Sequence, residues 1–476
     1  MRRTTAALFA SVALSAVAIT ASAASFRPDL ALRAATATVA RTLCDETFIS
    51  GLDPEQSFKE IFTDFPGVSL VRSQMRREVD RADRSVTVSL DGLFTSRAVF
   101  RDGYGCDLQF AGVPDRPIRA TPASFTADAA DPWNIAGPAV VTPTDPPLVA
   151  ALDEAFAEHP GQPRKATKAV VIIHDGKIVA ERYAPGYGPD TPLRAVSVSK
   201  SVTNALIGIL VREGRLKVDA PAPVAAWADP ADQRHAITLE QLMRMTSGLA
   251  LDETNTGFDP NSRMQFTQPD MAAFAERQPL IAQPGTRWAY SSPSTLILSR
   301  IVRDAVGGHA EDVNAFAEHE LFAPLGMRHV TLGFDTAGTP VGSSEFYASA
   351  RDWARFGLLY ANDGVVGGRR ILPEGWAAFS ASATPQAEFG YGAGFWTNLG
   401  ASVGARRRVA GGMPADSYFA SGSLGQRIVI APAEHLVIIR FGRSMDFPDF
   451  DINGIVRLTA EANQALNSPA AVTARN

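Results

Sequence analysis

Two β-branched hairpin patterns at opposite ends of the larger part of the chain constrain its fold most. Lys168 to His174 and Lys177 to Tyr183 flank Asp175-Gly176, a dipeptide suited to the two-residue turn that joins twisted strands. Arg427 to Ala431 and Leu436 to Phe441 repeat the pattern near the C-terminus. Between them the apolar spacing is mostly helical. One antiparallel sheet assembled from both ends, with helices packed on it, buries all of these faces. The expected fold class is therefore α/β of the α+β kind, an antiparallel sheet flanked by helices with a helical subdomain inserted.

The unit is expected to span residues 148–466, closed by a helix from Asn453 to Leu466. A proline-rich linker at 131–147 precedes it, with Pro132, Pro138, Pro143, Pro146 and Pro147 breaking regular structure, and a flexible tail at 467–476 follows. Residues 25–130 are expected to form a small N-terminal module. Within it Pro54 to Phe62 reads as helix, Arg84 to Leu90 alternates as a strand, Asp91-Gly92 is a turn, and Thr95 to Arg101 is the returning strand. Met1-Arg2-Arg3, the apolar stretch Ala6 to Thr20 and the small residues Ala21-Ser22-Ala23 match a secretory signal over residues 1–23. A periplasmic or secreted protein, with no membrane span after cleavage, is expected. In an oxidising compartment an isolated pair of cysteines is more often bridged than free, so Cys44 and Cys106 are expected to form a disulfide.

Charge excludes other classes. With 45 basic and 50 acidic residues the net charge is -5, which gives no electrostatic case for nucleic acid. The basic run Arg406-Arg407-Arg408 is expected on a solvated loop, within a Gly- and Ala-rich segment from Leu399 to Asp416 that reads as mobile. The seven histidines lack metal-ligand spacing, and neither a P-loop nor a dinucleotide fingerprint occurs. No metal and no cofactor are expected.

Chemistry concentrates in three stretches. Ser197-Val198-Ser199-Lys200 begins a helix whose apolar residues Val202, Ala205, Leu206, Ile209 and Leu210 share a face, with Gly214 as the stop. Residues three apart lie on one side of a helix, so the Ser197 hydroxyl and the Lys200 amine stand together at its positive end. Burial there favours a neutral amine able to accept the serine proton. Tyr290-Ser291-Ser292 then precedes a second helix, placing the Tyr290 phenol and the Ser292 hydroxyl where they can face a cleft. Ala420-Ser421-Gly422-Ser423 opens the C-terminal hairpin. Its glycine permits close approach of a substrate, and the Ser197 and Ser423 N–H groups are candidates for holding an oxyanion.

Together these stretches resemble the serine β-lactamase and DD-peptidase superfamily, whose signature is S-x-x-K, a Tyr or Ser element, then K-T-G. The chain is most similar to its class C-related esterases and 6-aminohexanoate-dimer hydrolases. The likeness runs over roughly residues 145 to 465 and includes Leu242-Met243-Arg244-Met245-Thr246-Ser247-Gly248-Leu249 and Ala350-Arg351-Asp352-Trp353-Ala354-Arg355-Phe356-Gly357. The resemblance implies that Ser197 is the acylated nucleophile, Lys200 its activator and Tyr290 the acid/base at the leaving group. Ser292 fills the polar second position of the Tyr element, and Ser421, Gly422 and Ser423 lie along the substrate. Alanine stands at 420 where the family has a lysine that binds a substrate carboxylate, which favours a neutral small-molecule ester or amide. Two other readings compete: a β-lactamase or DD-peptidase acting on β-lactams or peptidoglycan stems, and a non-catalytic cell-wall or ligand-binding protein on the same scaffold.

Overall fold

The structure is a computed structural model and describes residues 28–64, 66–115, 131–135, 137–254, 259–444, 451 and 453–467. The expected signal peptide, and the tail beyond residue 467, lie outside them. The N-terminal part pairs two helices, α1 (Pro28–Phe48) and α2 (Pro54–Asp64), with a four-stranded antiparallel sheet. Its strands β1 (Met75–Asp80), β2 (Ser85–Leu90), β3 (Phe94–Arg101) and β4 (Gly105–Leu108) follow one another in sheet order. Val39, Leu43, Ile61, Val86, Val88 and Ala98 form its own apolar core. Helix α1 lacks a clean apolar stripe because its stretch 36–47 is buried throughout, Thr36, Arg41, Thr42, Asp45 and Glu46 included. The Cys44–Cys106 disulfide joins α1 to β4.

The larger part begins with α3 (Pro146–Phe156), β5 (Thr167–His174) and β6 (Lys177–Tyr183), then passes through α4 (Ser199–Arg212), α5 (Ser292–Val306) and α6 (Ala350–Ala361). It returns to the sheet through β7 (Trp396–Thr397), α7 (Val403–Ala410), β8 (Tyr418–Gly422), β9 (Gln426–Ala431) and β10 (Leu436–Gly442), and closes on α8 (Ile455–Asn467). The six-stranded sheet has the order β7-β8-β9-β10-β5-β6, and every neighbouring pair is antiparallel. The two terminal hairpins meet at β10 and β5, where Ile438 lies opposite Ile172. Strand alternation then divides the side chains. Val170, Ile172, Val429 and Ile438 pack under α3 and α8, whereas Val171, Ile173, Ile428 and Ile439 face the helical side. Gly357 lets α6 lie directly on that sheet face, since a Cβ there would stand 2.6 Å from Val437 Cγ1.

The segment from Leu399 to Asp416 is not a mobile loop. Ser402 caps α7 by accepting the Ala405 N–H at 3.1 Å, and alanine and arginine sustain the helix. Nor is all of the arginine run solvated: Arg408 is buried, donating to Asn398 Oδ1 at 2.7 Å, Thr397 O at 2.7 Å and Phe389 O at 3.0 Å. Those acceptors come from a neighbouring segment, so their pull on Arg408 is invisible to local composition. Among the described residues no helix is long and apolar enough to cross a membrane, and no cluster of His, Cys, Asp or Glu could hold a metal ion.

The disulfide closes a separation of 62 residues. Replacing both cysteines (Cys44→Ala/Cys106→Ala) should lower unfolding free energy by about 4 kcal/mol in the chain-entropy treatment. Urea denaturation should show that loss, and the reduced wild-type protein should match the variant.

Candidate active site

The chain enters the site along a short strand, Leu193–Arg194, paired with Phe346–Ala348. The Ala195 N–H donates to Phe346 O at 2.8 Å, and the backbone then turns sharply at Val196, whose φ is 47°. That left-handed conformation costs a β-branched residue on the order of 1–3 kcal/mol. It aims Ser197 from a tight 3-10 turn, Val196–Val198, that runs directly into α4. Ser197 thus stands just before α4 rather than within it. The spacing survives because side chains three apart eclipse one another in a 3-10 turn.

Lys200 is 3% exposed. Its Nζ lies 2.9 Å from Ser197 Oγ, 2.9 Å from Ser292 Oγ and 3.0 Å from Ser343 O. An ammonium can donate to all three oxygens. A neutral amine has two N–H groups and one lone pair, and the same geometry serves it if the Ser197 hydroxyl becomes the donor. Burial pushes Lys200 down to about 8, against the opposing pull of the Glu253 carboxylate. The amine also lies 4.8 Å from the centre of the Tyr290 ring.

Tyr290 occupies the loop before α5, as its position ahead of an apolar helical stripe implies. Ser291 caps that helix by accepting the Ser294 N–H at 3.1 Å, which fixes the direction in which Tyr290 and Ser292 emerge. The Tyr290 ring stacks on Trp396 at 5.6 Å and meets Tyr391 edge-on at 5.9 Å, with Trp288 beside them. Its hydroxyl bonds to that of Ser197, yet burial, with Tyr391 and Glu253 nearby, raises its pKa well above the ordinary phenol value. Tyr290 is therefore a neutral phenol with a proton to give. The two buried groups are thus shifted in opposite directions, Lys200 toward the neutral amine and Tyr290 toward the protonated phenol.

The third stretch lies on β8. Ala420 is fully buried in the core, Ser421 is half-buried, and Arg427 stands across from it on β9. Arg427 donates to Gly422 O at 2.6 Å. Gly422 is required by contact, since a Cβ there would lie 2.5 Å from Ala195 O and 3.1 Å from Ser197 N. Its backbone therefore rests on the nucleophile turn. Ser423 follows at the exposed end of the strand, before Leu424 bends back with φ 65°.

Ser197, Lys200, Tyr290 and Ser292 come together, and Gly422 abuts the same turn. Sequence reasoning missed Glu253, which accepts the Ser292 N–H at 2.7 Å, and the Ser343 carbonyl. It also missed the aromatic wall of Trp288, Tyr391 and Trp396. A single glutamate in a polar loop carries no periodic signal, and a backbone carbonyl carries no sequence signal at all.

A protein-family model described as Beta-lactamase matches residues 152–461. The 6-aminohexanoate-dimer hydrolase of Paenarthrobacter ureafaciens is 26% identical over 253 residues, covering 49% of this chain. The match spans 62% of that relative, less than two thirds of its length. Two solved structures share the fold. A penicillin-binding protein homologue from Caulobacter crescentus aligns with a TM-score of 0.54 at 20% identity, covering 69% of this chain and 99% of its own. A family VIII carboxylesterase aligns with a TM-score of 0.53 at 17% identity, covering 69% and 99%.

The amine titration has a visible consequence. If the neutral amine of Lys200 takes the Ser197 proton, labelling of Ser197 by a fluorophosphonate should accelerate as pH rises through about 8. A stopped-time mass-spectrometric series from pH 5 to 10 measures it. Gly422→Ala should slow the same labelling by roughly 10²-fold, as expected for a displacement on the order of 1 Å at a reacting group.

Proposed function

Because the chain belongs to the beta-lactamase family, we propose that it is an exported serine hydrolase that cleaves ester or amide bonds through an acyl-enzyme on Ser197. The observation that carries this reading is the buried Lys200 amine, shared between the Ser197 and Ser292 hydroxyls. Ser197 Oγ attacks the carbonyl carbon while its proton passes to Lys200 Nζ. The Ser197 and Ser423 N–H groups, on the two backbones that Gly422 brings into contact, receive the negative charge on the substrate oxygen. As the C–O or C–N bond breaks, the Tyr290 phenol gives its proton to the leaving group and takes one from the Lys200 ammonium in the same relay. Water then attacks the acyl carbon along the reverse route, releasing the acid and restoring Ser197.

Two features support a neutral substrate. Ala420 offers no cation at the third element, and the wall of Trp288, Tyr391 and Trp396 beside Tyr290 is apolar. The relative named as a 6-aminohexanoate-dimer hydrolase and the carboxylesterase of like fold agree with linear amide or ester bonds. The β-lactam or peptidoglycan reading draws on Arg427, a cation across from Ser421. Export is supported by the Cys44–Cys106 disulfide.

Intact-mass analysis after fluorophosphonate treatment should show one adduct, lost in Ser197→Ala. Lys200→Ala should lower turnover of p-nitrophenyl butyrate by about 10²–10⁴-fold, the usual contribution of a positioned base. Faster turnover of nitrocefin than of p-nitrophenyl butyrate would transfer the assignment to the β-lactam reading. Labelling that persists in Ser197→Ala would refute the mechanism.

A further inference from the structure

We propose that Glu253 is a positioning residue for the Ser197 reaction: its carboxylate holds the first turn of α5, and through Ser292 it holds the Lys200 amine on the side from which the serine proton is taken. This inference rests on the acyl-enzyme reading above. Glu253 is half-buried, and its Oε2 accepts the Ser292 N–H at 2.7 Å. That N–H belongs to the first residue of α5, at the positive end of the helix, where a carboxylate is favoured on charge as well as by the hydrogen bond. The same residue's side chain lies 2.9 Å from Lys200 Nζ. One short chain of contacts therefore runs from Glu253 through Ser292 to the base.

The neighbours make the arrangement specific. Asp252, the preceding residue, is paired with Arg287 at 2.8 Å. Around the amine stand Ser197, Ser292, Ser343 O and the Tyr290 ring, none of them charged. Tyr391 and Arg427 act on Tyr290. Glu253 is thus the charged group whose field reaches Lys200, and it opposes the effect of burial. Desolvation alone carries a buried lysine several units down, past the range where a base is strongest at neutral pH. The carboxylate keeps the amine within that range while fixing its geometry.

Two substitutions separate charge from position. Glu253→Gln keeps an oxygen for the Ser292 N–H but removes the negative charge that favours the ammonium. The pKa of Lys200 then falls, and the acid limb of kcat/KM for p-nitrophenyl butyrate should move to lower pH by roughly one unit. At its own optimum its kcat should fall less than that of Glu253→Ala. Glu253→Ala removes the contact as well, and kcat should drop by about 10- to 100-fold with little change in KM. Fluorophosphonate titration counts the folded, competent sites in each variant, and the glutamine variant carries the test if the alanine variant does not fold. An unmoved acid limb in Glu253→Gln, with Ser197 still labelled in the wild type, overturns this proposal alone. Equal crippling of both variants without a shift also overturns it. Absence of Ser197 labelling in the wild type overturns this proposal and the acyl-enzyme reading together.

Discussion

A lysine amine taken out of water and set against a serine hydroxyl is the contact on which the rest of the structure depends. Burying a charge costs several kcal/mol unless its surroundings compensate or it sheds its proton. Here the surroundings come from separate elements that must meet within hydrogen-bond distance. The turn before α4 brings Ser197, the start of α5 brings Ser292, and the segment before Phe346 brings the Ser343 carbonyl. Each is tied to the next. Thr203 of α4 donates to Gly342 O at 3.0 Å, and the Phe346 N–H donates to Ser199 Oγ at 3.2 Å, so the carbonyl-bearing segment is docked along the helix that carries the lysine.

Some of the molecule's backbone strain lies around the same point. Val196, Met245 and Leu424 all have positive φ, and none is glycine. Val196 precedes Ser197, and Leu424 follows Ser423. Met245 accepts the Ala289 N–H at 3.0 Å, one residue before Tyr290. Conformations of this kind persist only where neighbouring structure over-determines them. The dense packing of the sheet and helices provides that restraint, so the side chains of the candidate site are aimed by bends that an isolated peptide would relax.

Much of this was legible from residues alone, for identifiable reasons. The two hairpins declare themselves through β-branched runs, the first joined by the Asp175-Gly176 turn and the second by a short connection, and their union into one sheet follows from the need to bury both. Ser197 and Lys200 are three residues apart on a helix start, so local geometry alone predicts their contact. Tyr290 is placed by the apolar helical stripe that follows it. The illegible parts are those where burial is satisfied at long range. Helix α1 hides threonines, Arg41 and Asp45 among partners from elsewhere, Arg408 finds its acceptors on a separate segment, and Glu253 meets the distant N–H of Ser292. In each case the side chain looks solvent-facing until its distant partner is known.

Helix α1 lies outside the span that matches the family, 152–461, yet it reaches the foundations of the nucleophile. Thr42 accepts from Arg194 Nη1 at 3.1 Å, three residues before Ser197, while Arg194 Nη2 grips Glu345 at 2.6 Å beside the carbonyl-bearing segment. Arg41 lies 3.9 Å from the same glutamate, and Glu46 anchors Arg443 at 2.6 Å just past β10. Cutting the chain back to its family limits would bare Glu345, now 1% exposed, and slacken the strand that delivers the reactive hydroxyl. The family-matching span is therefore not self-contained at its base: the N-terminal helix supplies part of the hydrogen bonding and charge pairing beneath the Ser197 turn.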